Sequence, residues 1–76
     1  MKKKKDDLTA RQLDVIKLAS RGKSNKVIGK LLYITDSTVK AHLTAIYKKF
    51  GVTNRTEAAI VAIDRGLIPR QDSEQP

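Results

Sequence analysis

The sequence predicts an all-α fold: a small four-helix bundle with a central helix-turn-helix and helices near residues 9–21, 24–32, 35–50 and 54–65. Three observations carry that reading. Apolar residues recur at three- and four-residue spacing through most of the chain. Gly22, Gly51 and Gly66 each close such a stretch, where a helix needs a left-handed residue to end on. No segment alternates apolar and polar residues over a useful length, so strands have no support.

The first helix starts at Thr9, whose hydroxyl can cap the backbone while Gln12 reaches back to complete a capping box. Leu13, Ile16 and Ala19 are among its inward residues, and Gly22 closes it. Ser24 caps a second helix with Val27, Ile28, Leu31 and Leu32 as its apolar face and Lys26 and Lys30 on the opposite side. After a tight turn at Tyr33-Ile34-Thr35, Thr35 caps a third helix with Asp36 in its first turn, where the macrodipole favours an acid. Asn54, with Glu57 three residues on, opens the fourth. Gly29 sits inside the second helix, where it costs roughly 0.5–1 kcal/mol relative to Ala but permits a close approach of another element.

The third helix carries the most informative pattern. At about 100° per residue, Val39, Leu43, Ile46 and Phe50 fall on one side and Ser37, Ala41, Thr44 and Lys48 on the other, with Lys40 at the edge. The first set is core. The second mixes small residues, hydroxyls and cations, which lets a helix lie close to another surface and suits the edges of bases in a major groove. A short helix, a tight turn and a longer helix with such a face form the helix-turn-helix plan, in which the first crosses the nucleic-acid backbone and the second enters the groove.

Charge and composition agree with that plan and exclude several others. The 76 residues carry 16 Lys and Arg against 8 Asp and Glu, a net charge of +8. Residues 8–68 contribute eleven cations against four acids, so the excess is not confined to the Lys2–Lys5 run. Without Cys there is no disulfide or thiolate metal site, and a lone His42 builds no metal site and no catalytic triad. His42 reads instead as a packed neutral imidazole, and Tyr47 as a cover for the core edge. The carboxylates are scattered among caps and helix surfaces and there is no phosphate-binding glycine loop, so neither catalytic residues nor a cofactor is expected. No apolar run approaches the roughly 20 residues that a transmembrane helix needs. A cytoplasmic protein with no membrane partner is the expectation.

Several segments resemble the LuxR-type DNA-binding domain in order and spacing: Leu8-Thr9, Ser24-Asn25-Lys26-Val27-Ile28, Ser37-Thr38-Val39-Lys40-Ala41-His42-Leu43, Ile46-Tyr47-Lys48-Lys49-Phe50-Gly51-Val52 and Asn54-Arg55-Thr56-Glu57-Ala58. The resemblance covers residues 8–68, leaving 1–7 as a basic tail or linker remnant and 69–76 as a flexible C-terminal tail. It implies a regulator of transcription that binds double-stranded DNA as a dimer, with the third helix in the major groove, the fourth at the dimer contact and a signal-receiving domain, fused or separate. It places base contacts on Lys40, Ala41 and Thr44, and phosphate contacts on Ser24, Asn25, Lys26, Thr35, Thr38 and Lys48. Departures from the family pattern fall at Thr44, where members often carry Lys, Arg or Asn, at Ala10, where Pro is common, and at Gly29, where Ala is common.

An apolar surplus on the fourth helix points to the same dimer. With Ala59, Ile60, Ile63 and Leu67 serving the core, Ala58, Val61 and Ala62 gather on the other side near Arg65 and form the expected interface of a homodimer that assembles mainly on DNA. The competing reading is a basic helical interaction module that binds an acidic protein partner.

Overall fold

The computed structural model describes residues 8–70. Four helices follow in order, α1 (Ala10–Ser20), α2 (Asn25–Leu32), α3 (Asp36–Phe50) and α4 (Arg55–Asp64), with no strand among the described residues. The two expected tails at 1–7 and 71–76 lie outside the described residues.

Each helix begins at the cap the sequence names. Thr9, Ser24, Thr35 and Asn54 all have extended backbone, and each side chain accepts from the amide three residues on. The box at α1 is complete: Gln12 N–H donates to Thr9 Oγ1 and Thr9 N–H to Gln12 Oε1, both at 3.1 Å. At α4 the return half differs from the expected box, because Glu57 Oε1 accepts from Thr53 N–H at 3.3 Å and not from the cap residue's own amide. The helix ends follow the glycines. Gly22, at φ 85°, lets its own N–H reach Ala19 and that of Lys23 reach Leu18, so the last carbonyls of α1 are satisfied.

The exception is the end of α2. Tyr33 adopts a left-handed conformation, φ 60° and ψ 43°, that costs an L-residue roughly 1–2 kcal/mol. Its N–H and that of Ile34 both return to the Gly29 carbonyl, while the Tyr33 side chain is 93% exposed and packs on little. Gly29 is buried beneath this turn. A Cβ there would lie 2.6 Å from the Ile34 carbonyl oxygen, so the absent side chain is what lets the turn and the start of α3 close over α2.

α3 packs against α1, α2 and α4, and α1 likewise meets the other three. Val39, Leu43, Ile46 and Phe50 form its buried stripe, as the periodicity predicts. They meet Val15, Ile16 and Ala19 of α1, Ile28 of α2, Ala58 and Ala62 of α4, and Leu8 and Ile68 from the flanking segments. Gln12 is the buried polar residue of the core. Its Oε1 also accepts from Lys49 Nζ at 2.9 Å, tying the start of α1 to the last turn of α3.

Two helices bury only part of the face expected. On α2, Ile28 is buried and Leu32 half-buried, but Val27 and Leu31 are 40% and 52% exposed. Eight residues resting on α1 and α3 have only one side covered. On α4, Ala58 and Ala62, expected on the dimer side, are completely buried, and Ile60, expected in the core, is 59% exposed. Ile63 and, just past the helix, Leu67 pack partly buried against the core as expected. Methyl groups at the contact let α4 lie close to α1 and α3, where a larger side chain would hold it off.

Candidate nucleic-acid interface

The outward side of α3 is continuous. Ser37, Lys40, Ala41, Thr44 and Lys48 are all exposed, and their spacing puts them on one face opposite the buried stripe. All three expected base-contacting residues, Lys40, Ala41 and Thr44, are on this face. An α-helix of roughly 10–12 Å diameter is about as wide as a major groove of about 12 Å, and Ala41 adds only a methyl group to this face.

Of the six expected phosphate contacts, Ser24, Lys26, Thr35, Thr38 and Lys48 are exposed and Asn25 is half-buried. They collect at the first turns of α2 and α3, with Lys48 near the far end of α3. Ser24 Oγ accepts from Val27 N–H at 3.2 Å and Thr35 Oγ1 from Thr38 N–H at 3.1 Å, so each cap hydroxyl is already oriented by its helix. Thr35 also donates its hydroxyl proton to Thr38 Oγ1 at 2.9 Å, which leaves the Thr38 proton free to turn outward. From Arg21 to Thr35 the chain has four cations and no acid. At α2 these cations stand beside the partial positive charge of a helix N-terminus, an edge suited to an anion, whereas the first turn of α3 carries the exposed acid Asp36.

The expected dimer contact needs correction. Ala58 and Ala62 lie wholly inside the domain and present nothing to a partner. Val61 is half-buried against the same core. Arg65 lies over the Phe50 ring, 5.0 Å from its centroid, covering the core's edge. The side of α4 that faces outward carries Ile60, with Thr56, Glu57 and Asp64 exposed around it. Sequence reasoning also missed Arg55, whose guanidinium reaches the α1–α2 connection. Its place beside the Asn54–Glu57 capping pair was the one available signal. Among the described residues, no group of His, Asp or Glu is placed to hold a metal ion, and no helix is long and apolar enough to cross a membrane.

A short helix, a three-residue turn and a longer helix with an uncovered polar face, held by two further helices, define the helix-turn-helix class of transcription-factor domains. The family model described as bacterial regulatory proteins, luxR family, matches residues 6–62, and the chain belongs to that family. Its members' domain is a DNA-binding one and not an enzyme. The chain is 47% identical over 63 residues to the transcriptional regulatory protein LiaR of Bacillus subtilis (strain 168), covering 83% of this chain and 30% of that protein. It is 44% identical over 61 residues to the transcriptional activator protein BjaR1 of Bradyrhizobium diazoefficiens, covering 80% and 25%.

Among solved structures, the transcription factor GerE superposes with a TM-score of 0.77 at 31% identity, covering 80% of this chain and 91% of that one. The response regulator ChrA of a heme-sensing two-component system gives a TM-score of 0.80 at 39% identity, covering 87% and 33%. The chain spans about a quarter to a third of the length of the curated relatives it matches.

Proposed function

We propose that this chain binds double-stranded DNA sequence-specifically as the output domain of a cytoplasmic transcriptional regulator, with α3 in the major groove. The observation that carries the reading is the outward face of α3, where Lys40, Ala41 and Thr44 stand exposed with Lys48 one turn further along. Lys40 and Thr44 read base edges, and Ala41 supplies a methyl group against them. Ser24, Asn25, Lys26, Thr35, Thr38 and Lys48 hold the phosphates on either side and set the register. A signal-receiving domain, fused or separate, governs when this surface is used.

Selection from a random duplex library, followed by titration across salt concentrations, tests the reading. Lys48→Ala weakens binding to every sequence and flattens the salt dependence by about one counterion. Lys40→Ala relaxes preference at particular base pairs, worth about 1–3 kcal/mol for a good contact. A domain without salt-sensitive duplex binding would be an interaction module for an acidic protein instead.

The second element of the proposal is a homodimer through α4, formed mainly on DNA, with Ile60 at its centre in place of the buried alanines. A β-unbranched cation at that exposed position leaves the core untouched. Ile60→Arg therefore keeps the fold and single half-site binding but removes cooperative occupancy of two half-sites about one helical turn apart, read by gel shift. Undiminished cooperativity in that variant would place the contact elsewhere.

A further inference from the structure

Arg55 is the first residue of α4, a position where the helix macrodipole disfavours a cation. Two oxygen acceptors offset that. Nη1 donates to the Lys23 carbonyl at 2.5 Å and Nη2 to Asn25 Oδ1 at 2.6 Å, across 32 and 30 residues of chain. α2 and α4 do not pack on each other, so the side chain of Arg55 itself bridges the start of one to the start of the other.

The chemical consequence falls on Asn25. A side-chain amide has an accepting end and a donating end, and phosphate oxygens only accept. A freely turning Asn25 would offer its oxygen to the phosphate as readily as its N–H groups. With Oδ1 engaged by a guanidinium, the orientation is decided: Nδ2 is the end left over, and it makes no hydrogen bond to any described residue. The same guanidinium fork also donates to the Lys23 carbonyl, which fixes its own position against Asn25.

We propose that Arg55 is a positioning residue for phosphate recognition, holding the Asn25 amide in the orientation that turns its N–H donors to the nucleic-acid backbone. The inference rests on the reading of the α2 N-terminus as a backbone-contacting surface. A lysine cannot replace the fork, since one ammonium does not reproduce the two planar, diverging donors.

A double-mutant cycle on duplex affinity tests this, with thermal melts confirming that each variant is folded at the assay temperature. Arg55→Lys keeps the charge and weakens binding about three- to tenfold, and Asn25→Ala does so by a similar factor. The double variant is no weaker than Asn25→Ala alone, because Arg55 acts through Asn25. Combined with Lys48→Ala, Arg55→Lys is additive. Full additivity of Arg55→Lys with Asn25→Ala, or no effect of Arg55→Lys on binding, overturns the proposal. Should Arg55→Lys fail to fold, Asn25→Asp decides: its carboxylate still pairs with Arg55 but has no donor, and binding falls more than tenfold, whereas unchanged affinity refutes the role. Wild-type protein that binds no duplex at all refutes the DNA reading itself, an outcome distinct from any of these.

Discussion

Leu43→Ala lowers the unfolding free energy by about 2–5 kcal/mol, through lost transfer energy and the cavity left behind. Leu43 is 3% exposed, at the middle of the buried stripe of α3, which like α1 contacts all three other helices. A domain of this size has a total stability of only roughly 4–11 kcal/mol, so the loss takes a large share of it. Because every helix packs on α3, the gap cannot be closed by one of them without parting from another. Urea unfolding followed by circular dichroism should show a lower midpoint with an unchanged slope. A loss below half a kcal/mol would mean that Leu43 is not held in the core.

Gly29→Val costs about 1–3 kcal/mol by overpacking, and it acts on the site as well as the fold. The added Cβ meets the Ile34 carbonyl oxygen at 2.6 Å, with Thr35 carbon and Asp36 nitrogen at 3.4 Å. These are backbone atoms, so no side chain can swing aside. The turn must move, and with it the angle at which α2 and α3 present Ser24, Lys26, Thr35 and Lys40. Duplex affinity should therefore fall further than the unfolded fraction accounts for, which titration well below the melting temperature separates. Gly29→Ala is the smaller step, in which the better helix propensity of Ala, about 0.5–1 kcal/mol, opposes the same contact. The contact outweighs it, and a rise in melting temperature for Gly29→Ala would show that the turn yields freely.

The four helix starts were legible because a cap is a local device. A hydroxyl or amide oxygen that reaches the amide three residues on needs nothing from the rest of the chain, and Thr9, Ser24, Thr35 and Asn54 all do so. The buried stripe of α3 was legible for a related reason. Its polar residues outnumber its apolar ones, so Val39, Leu43, Ile46 and Phe50 allow one phase only, and the exposed face with Lys40, Ala41, Thr44 and Lys48 follows as their opposite.

Tertiary structure alone decided the facing of α4. Residues 58–63 are six apolar residues in a row, Ala58-Ala59-Ile60-Val61-Ala62-Ile63, and an unbroken run carries no phase. Hydrophobicity by itself would bury Ile60. Close approach to α1 and α3 instead selects Ala58 and Ala62, because the gap between packed helices admits methyl groups and excludes a butyl side chain. Arg55 was hidden on similar grounds, since its partners lie 30 and 32 residues away and meet it only once α1, α3 and α4 have assembled. What the sequence by itself determined are the helix starts and ends, written within one turn, and the stripe of α3, whose apolar residues admit a single phase along that helix. Which surfaces of α2 and α4 remain uncovered depends on how much room the neighbouring helices leave, a quantity that exists only in the packed molecule.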